Sequence, residues 1–317
     1  MIFADLLQLN PMDNIYLYMI IALAILAIAD LVVGVSNDAV NFLNSAIGSK
    51  AISFKTVMIV ASVGVAVGAV FSSGMMEVAR KGIFNPSEFM FNEIMIIFMA
   101  VMITDILLLD FFNSIGMPTS TTVSIVFELL GAAVAIALVK ISAEGGGFTD
   151  VINYINTSKA TQIIFGILLS VVIAFSIGAL VQWISRVLLS YNFQEKKPHV
   201  GALFGGFALT AITYFIFMKG LKGTSYANES FDILGGGTMS NFLETQVLYI
   251  VTGCFLFWSL LSYIFIAFVK ANIYRLIIIV GTFALALAFS GNDLVNFIGV
   301  PVAAYNAFLA WSASGVA

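Results

Sequence analysis

Apolar runs long enough to cross a membrane alternate with short polar stretches along nearly the whole chain. Runs near residues 15–33, 56–75, 94–112, 121–141, 161–185, 200–218, 245–269 and 274–290 are expected to be helical, and a further apolar piece covers 294–310. Several exceed the roughly 18 consecutive apolar residues that mark one hydrocarbon crossing. Polar punctuation separates them. Residues 142–160 read as a Gly-rich loop. Residues 186–199 hold Arg186, Lys196, Lys197 and His199, and residues 219–244 form a second polar loop with Gly235, Gly236 and Gly237. The pattern predicts an all-α, polytopic membrane protein.

Polar residues inside this pattern are repeated. Asn37-Asp38-Ala39-Val40-Asn41-Phe42 closes the first run, and Asn292-Asp293-Leu294-Val295-Asn296-Phe297 closes the eighth. A carboxylate and two carboxamides are costly at membrane depth, so a set that occurs twice points to a site. Either copy alone could be an ordinary pair of helix caps; five identical residues of six argue otherwise. Seven crossings separate the two copies, so their parent helices run antiparallel, as in an inverted-topology repeat. On this reading residues 1–141 are a first repeat, 142–244 are linking spans and loops, and 245–317 begin a second, inverted repeat. Gly34, Val35 and Ser36 precede the first copy, and Ser290 and Gly291 the second. Glycine and serine let a helix open, so both copies are expected at broken helices near the midplane, with half-helices starting there. Asn41 lies one turn after Asn37, and Asn44 and Ser45 extend the polar face.

A third element is Gly116-Met117-Pro118-Thr119-Ser120-Thr121-Thr122. Proline near a helix start, followed by hydroxyls, makes a donor-rich N-terminus that could hold a tetrahedral oxyanion. The same hydroxyls could equally cap their helix or bond back into it. Asp30, Asp105, Asp110 and Glu128 also fall within apolar runs, Glu128 two turns after Thr121. Each suits a cation ligand, a proton carrier, or a polar pair of purely structural use.

Composition sharpens the class. Of 317 residues, 61% are hydrophobic and 9% charged, with mean hydropathy +1.07; soluble chains carry about 25% charge. The net charge of −4 argues against nucleic acid. One Cys (Cys254) and one His (His199) exclude an intrachain disulfide and a structural zinc site. No credible nucleophile, base and metal set appears, so an enzyme is not expected. No Lys or Arg precedes Lys50, so the first run reads as a retained span rather than a secretory leader. Basic residues divide seven to six across the two sides, and the cluster around Lys196 places the N-terminus outside a plasma or inner membrane. The Asn-x-Ser triplets at Asn156 and Asn228 would then lie outside as well.

At these residues the chain resembles the inorganic phosphate transporter family. That family carries a Gly-Ala-Asn-Asp-Val-Ala-Asn type signature in each half, matched by 34–41 and 290–296, and a Pro-x-Ser-Thr-Thr segment, matched by Pro118 to Thr122. Residues 74–83, with Glu77, Arg80 and Lys81, resemble the stretch after the family's second helix. The resemblance implies phosphate carried by sodium or proton symport through an inverted-repeat fold, often as a dimer. It places Asp38, Asn41, Ser120, Thr121, Thr122, Asp293 and Asn296 around the anion. Sodium, a co-substrate with no further cofactor expected, would use Asn37, Asp38, Asn41, Thr121, Asn292, Asp293 and Asn296. Glu77, Asp105 and Glu128 are further candidates.

Two departures from the family pattern stand out. Val123 occupies the place where the family often has His, which weakens a proton route there. A second Pro-x-Ser-Thr-Thr segment is implied after Asn296 and does not occur before Ala317, which reads as a truncated form or a differently built second half. Charge leads to the same expectation of a cation. An oxyanion between Asp38 and Asp293 would be repelled, and the motif segments hold no Lys or Arg, so cations must accompany it or the acids must be protonated. Sulfate as substrate, proton coupling, and a cation channel or exporter are the competing readings.

Overall fold

The computed structural model describes residues 11–71, 82–189, 198–218, 227, 229–230 and 237–314. Among them are nine long helices: α1 (Pro11–Ser49), α2 (Phe54–Phe71), α3 (Phe91–Ser114), α4 (Thr121–Glu144), α5 (Thr157–Leu189), α6 (Pro198–Ile216), α7 (Val247–Ala267), α8 (Ile273–Asn292) and α9 (Leu294–Ser314). No strand occurs among the described residues beyond two isolated bridges. Seven stretches are long and apolar enough to cross a membrane, α8 and α9 counting as one and α2 being a shorter apolar helix. The chain is an all-α, multi-pass membrane protein. The expected runs correspond to these helices, except that the first, expected to end at 33, continues as α1 to Ser49, and that the second extends past Phe71 beyond the described residues.

By packing, the chain forms two discontinuous units. The first comprises Met1–Val40, Met76–Ile167 and Asp293–Ala317, the second Asn41–Met75 and Leu168–Asn292. These are divisions by packing; the repeat limits expected at 141 and 244 are divisions by internal similarity and a separate matter.

In the first unit, Leu23 and Ala27 of α1 join Val101 and Met102 of α3, Leu129 and Ala133 of α4, and Val300 and Ala304 of α9 in one buried core. Alanine at 133, 137 and 304 keeps these helices close, as small residues do where lipid supplies no hydrophobic drive for association. Tyr16, Phe91 and Trp311 form a ring cluster with centroids 4.8–5.0 Å apart, tying the starts of α1 and α3 to the end of α9. In the second unit, Gly64 and Gly68 of α2 lie directly against the backbone of α8, and Ser290 donates to the Val65 carbonyl at 2.7 Å. Gly205 and Gly206 of α6 face Ser262 and Ser259 of α7 in the same way.

Two expectations need correction. The segment 142–160 is not an open loop. α4 runs to Glu144, Gly145 closes it with φ 74°, and a turn and short helix follow through Tyr154. Asn85 then donates to the Tyr154 and Asn153 carbonyls, which holds this segment against 83–85. Secondly, α1 does not open at Gly34–Ser36. It stays helical for 39 residues, with Ser36 Oγ donating back to the Val32 carbonyl at 2.8 Å. Gly34 serves packing instead: a Cβ there would collide with the ring of Phe297, which is fully buried. Only the second copy sits at an interruption, the single non-helical residue Asp293 between α8 and α9.

Gly34→Leu is therefore expected to cost about 1–3 kcal/mol through overpacking, while Gly166→Leu on α5, where nothing lies within 4 Å, should be neutral. Denaturant unfolding of both variants in detergent checks this pair.

Candidate ion and oxyanion site

The first signature copy lies on the buried side of α1, with Asn37 4% and Asp38 3% exposed. Asn37 is held at both ends of its amide. Its Oδ1 accepts the Thr119 backbone N–H at 2.9 Å, and its Nδ2 donates to Asn113 Oδ1 at 2.9 Å. Asn113 in turn donates to the Val33 carbonyl at 2.9 Å. This chain of amides fixes the stretch before α4 against α1. A Thr119 N–H just ahead of a helix has no intrahelical acceptor, and a carboxamide oxygen is a suitable partner for it.

That arrangement sets Thr121 and Thr122 between the two acids. Thr121 donates its hydroxyl to Asp38 Oδ2 at 3.2 Å, and Thr122 donates to Asp293 Oδ1 at 3.3 Å. Asn296 Nδ2 then donates to both hydroxyl oxygens, at 3.4 Å to Thr121 and 2.9 Å to Thr122. The two signature aspartates, 255 residues apart in sequence, thus share one bridge of adjacent threonines clasped by a single amide. All of these residues belong to the first unit. Thr121 is 2% and Asn296 9% exposed, whereas Thr122 stays accessible.

The other expected residues fall less centrally. Ser120 is the N-cap of α4, its Oγ accepting the Val123 N–H at 3.4 Å, and it is exposed. Asn41 is exposed and belongs to the second unit. Glu77 and the Asn292 side chain lie outside the described residues, as do Arg80, Lys81, Lys196, Lys197 and Asn228. Asp110 is exposed on α3, while Asp105 is fully buried. Sequence reasoning did not single out Asn113. Its only signal is an amide in the last turn of an apolar helix, just ahead of the Gly116–Thr122 segment.

The arrangement is a cluster of hard oxygen donors, carboxylate, hydroxyl and carboxamide, beside the donor-rich start of a helix. Such a set suits alkali or alkaline-earth cations rather than soft metals. An all-helical membrane protein with paired acids on a hydroxyl bridge has the build of a solute carrier. The sequence profile of the phosphate transporter family matches residues 34–315, and the chain belongs to that family. A Thermococcus kodakarensis protein named "Putative phosphate permease" is 27% identical over 298 residues, covering 89% of this chain and 65% of its own length. A Mycobacterium bovis protein of the same name is 30% identical over 165 residues, 51% of this chain and 29% of its own. The chain thus spans less than two thirds of the length of these curated relatives. A solved structure titled "The sodium-dependent phosphate transporter" shares the fold with TM-score 0.64 over 95% of this chain and 69% of that one, at 19% identity.

Replacing Asn113 with Ala leaves Asn37 Nδ2 without its acceptor and removes the second donor to the Val33 carbonyl. It is expected to cost about 1–3 kcal/mol and to speed amide hydrogen exchange at Thr119, which native-state exchange spectroscopy reads directly.

Proposed function

We propose that this protein imports inorganic phosphate by sodium symport. The observation that carries this reading is the Asp38–Thr121–Asn296–Thr122–Asp293 bridge, which joins the two signature copies through the hydroxyl segment. Each threonine spends its one hydroxyl hydrogen on a carboxylate. Neither can then donate to an anion, and the two negative charges would repel one. Sodium bound to the carboxylates and hydroxyl lone pairs changes both terms. It offsets the charge and frees the Thr121 and Thr122 hydrogens to turn towards phosphate oxygens, alongside the N–H groups at the start of α4. Cation binding and anion binding are thereby made mutually dependent, which is what symport requires.

The seams between packing units support alternating access for the same site. The chain passes from one unit to the other within both signature copies, between Val40 and Asn41 and between Asn292 and Asp293. An inverted repeat with the N-terminus outside, in a plasma or inner membrane, fits this scheme.

Labelled phosphate uptake into vesicles containing the purified protein tests the proposal. Uptake should need an inward sodium gradient and resist competition by sulfate; uptake driven equally well without sodium, or blocked equally by sulfate, overturns it. Asp38→Asn and Asp293→Asn should each lower sodium-coupled uptake by about tenfold to a hundredfold, the loss of a hydrogen bond or ligand bearing full charge. Thr121→Val should raise the apparent Michaelis constant for phosphate, read in the same assay.

A further inference from the structure

The core of the first unit holds three more acids, which the site above does not use. Asp30 on α1 and Asp105 on α3 are both 0% exposed. Glu128 on α4 is partly exposed as a residue, but both its carboxyl oxygens are buried. The three carboxyls lie within interaction range of one another, with Asp105 in contact range of both others. None of their six oxygens has a hydrogen-bond partner outside the trio among the described residues. Their surroundings are apolar, for Leu23, Ala27, Val101, Met102, Leu129 and Ala133 belong to the same core.

No basic side chain is at hand. The sequence has no Lys or Arg in 1–49, 82–139 or 276–317, stretches that contain nearly all of α1, α3, α4 and α9. Lys140 of α4 lies three turns beyond Glu128, about 18 Å along the axis. It is held there by Glu93 at 3.3 Å and the Glu88 carbonyl at 2.9 Å. Of the remaining ionisable groups on these helices, Asp110, Glu144 and Tyr305 are exposed, Tyr16 stands in the ring cluster, and Asp38 is bonded to Thr121. Three bare carboxylates packed together in such a core would cost several kcal/mol each in lost hydration, with mutual repulsion added. A fold that retains them must neutralise them. The described residues contain no group of three acids, His or Cys spaced to hold a metal ion, and a proton neutralises a carboxyl without needing further ligands.

A way in exists. A cleft of about 540 Å³ between α3 and α4 is lined by Thr104, Ser124 and Glu128 and extends to Thr119, the residue whose N–H Asn37 accepts. Glu128, one of the three acids, thus borders a space that also touches the wall of the signature site.

We propose that Asp30, Asp105 and Glu128 form an intramembrane proton-binding site, distinct from the paired signature aspartates and loaded through the cleft at Glu128. Proton binding by the cluster stands on this geometry alone; only a part in uptake rests on the transporter reading.

Infrared spectroscopy of the purified protein in lipid tests the binding directly. The wild-type protein at neutral pH should show the C=O stretch of buried protonated carboxyls, shifted in heavy water. Asp30→Asn and Glu128→Gln, near-isosteric with the protonated acids, should each remove about one carboxyl's share of that band. A wild-type spectrum without a protonated-carboxyl band at neutral pH overturns the proposal, and that measurement needs no variant to fold. Loss of the band on adding sodium at fixed pH overturns it too if the loss persists in Asp38→Asn, since sodium would then occupy the core acids rather than act through the signature oxygens. In vesicles, Glu128→Gln should flatten the pH dependence of phosphate uptake while its sodium dependence remains. A band that behaves as expected in a protein that carries no phosphate would leave the proton site standing and remove the symport reading.

Discussion

Negative charge held in apolar helices without basic partners is the condition that organises the first packing unit. Its three segments contain 13 acidic and 4 basic residues, whereas those of the second contain 4 acidic and 9 basic. Such an imbalance on a soluble surface would be dispersed by water and salt. Here five of the acids, Asp30, Asp38, Asp105, Glu128 and Asp293, occur within or between helices that cross apolar surroundings. A low dielectric makes each uncompensated charge expensive. The fold meets that cost in two ways. At the signature it surrounds carboxylates with hydroxyl and amide donors, which lowers the cost without cancelling the charge. In the core it gives carboxyls nothing but each other. The first arrangement leaves an attraction for a metal cation, and the second favours neutralisation by protons.

The two signature copies reach one site by different local routes. In the first, the helix continues and the polar face of α1 presents Asn37 and Asp38 laterally, in a stretch where Gly34 admits the ring of Phe297. In the second, the backbone leaves the helix for one residue at Asp293, and the Asn296 N–H bonds the Asp293 carbonyl as α9 begins. Hexapeptides alike at five of six positions therefore do not dictate identical backbone. Local glycine and serine permit an opening; whether it occurs depends on what packs alongside. Phe297 of the second copy fills the notch that Gly34 of the first copy provides, so each motif supplies part of the other's support.

Much of this was legible in the chain beforehand. Hydropathy placed most of the helices to within a few residues, because in a bilayer every backbone polar group must be satisfied locally; the first was the exception, since α1 continues helical past 33 to Ser49. The duplicated Asn-Asp motif and the Pro118–Thr122 segment identified the partners that meet, since acids at that depth have few structural uses. Three things were hidden. The unbroken course of α1 depends on the Gly34–Phe297 contact, a tertiary fact that propensity cannot contain. The brace from Asn113 depends on which face of α3 turns towards α1. The meeting of Asp30, Asp105 and Glu128 depends on the register of three helices, although each acid was visible separately as a polar residue in an apolar run.

Register also explains why the two acidic groups need not interfere. Glu128 lies seven residues along α4 from Thr121, about 10 Å of helix rise, and Asp30 lies eight residues along α1 from Asp38. Both helices thus carry one member of each group about two turns apart, in opposite sequence order, Asp30 before Asp38 on α1 and Thr121 before Glu128 on α4. A tilt or shift of α4 against α1 would alter the Asp38–Thr121 bond and the Asp30–Glu128 spacing together, because rigid helices transmit displacement along their length. Occupancy at one level therefore bears on geometry at the other without any bonded path between them. On the proposed reading any coupling between the two levels is reciprocal: the factor by which a cation among the signature oxygens changes proton affinity in the core is the factor by which protonation there changes cation affinity.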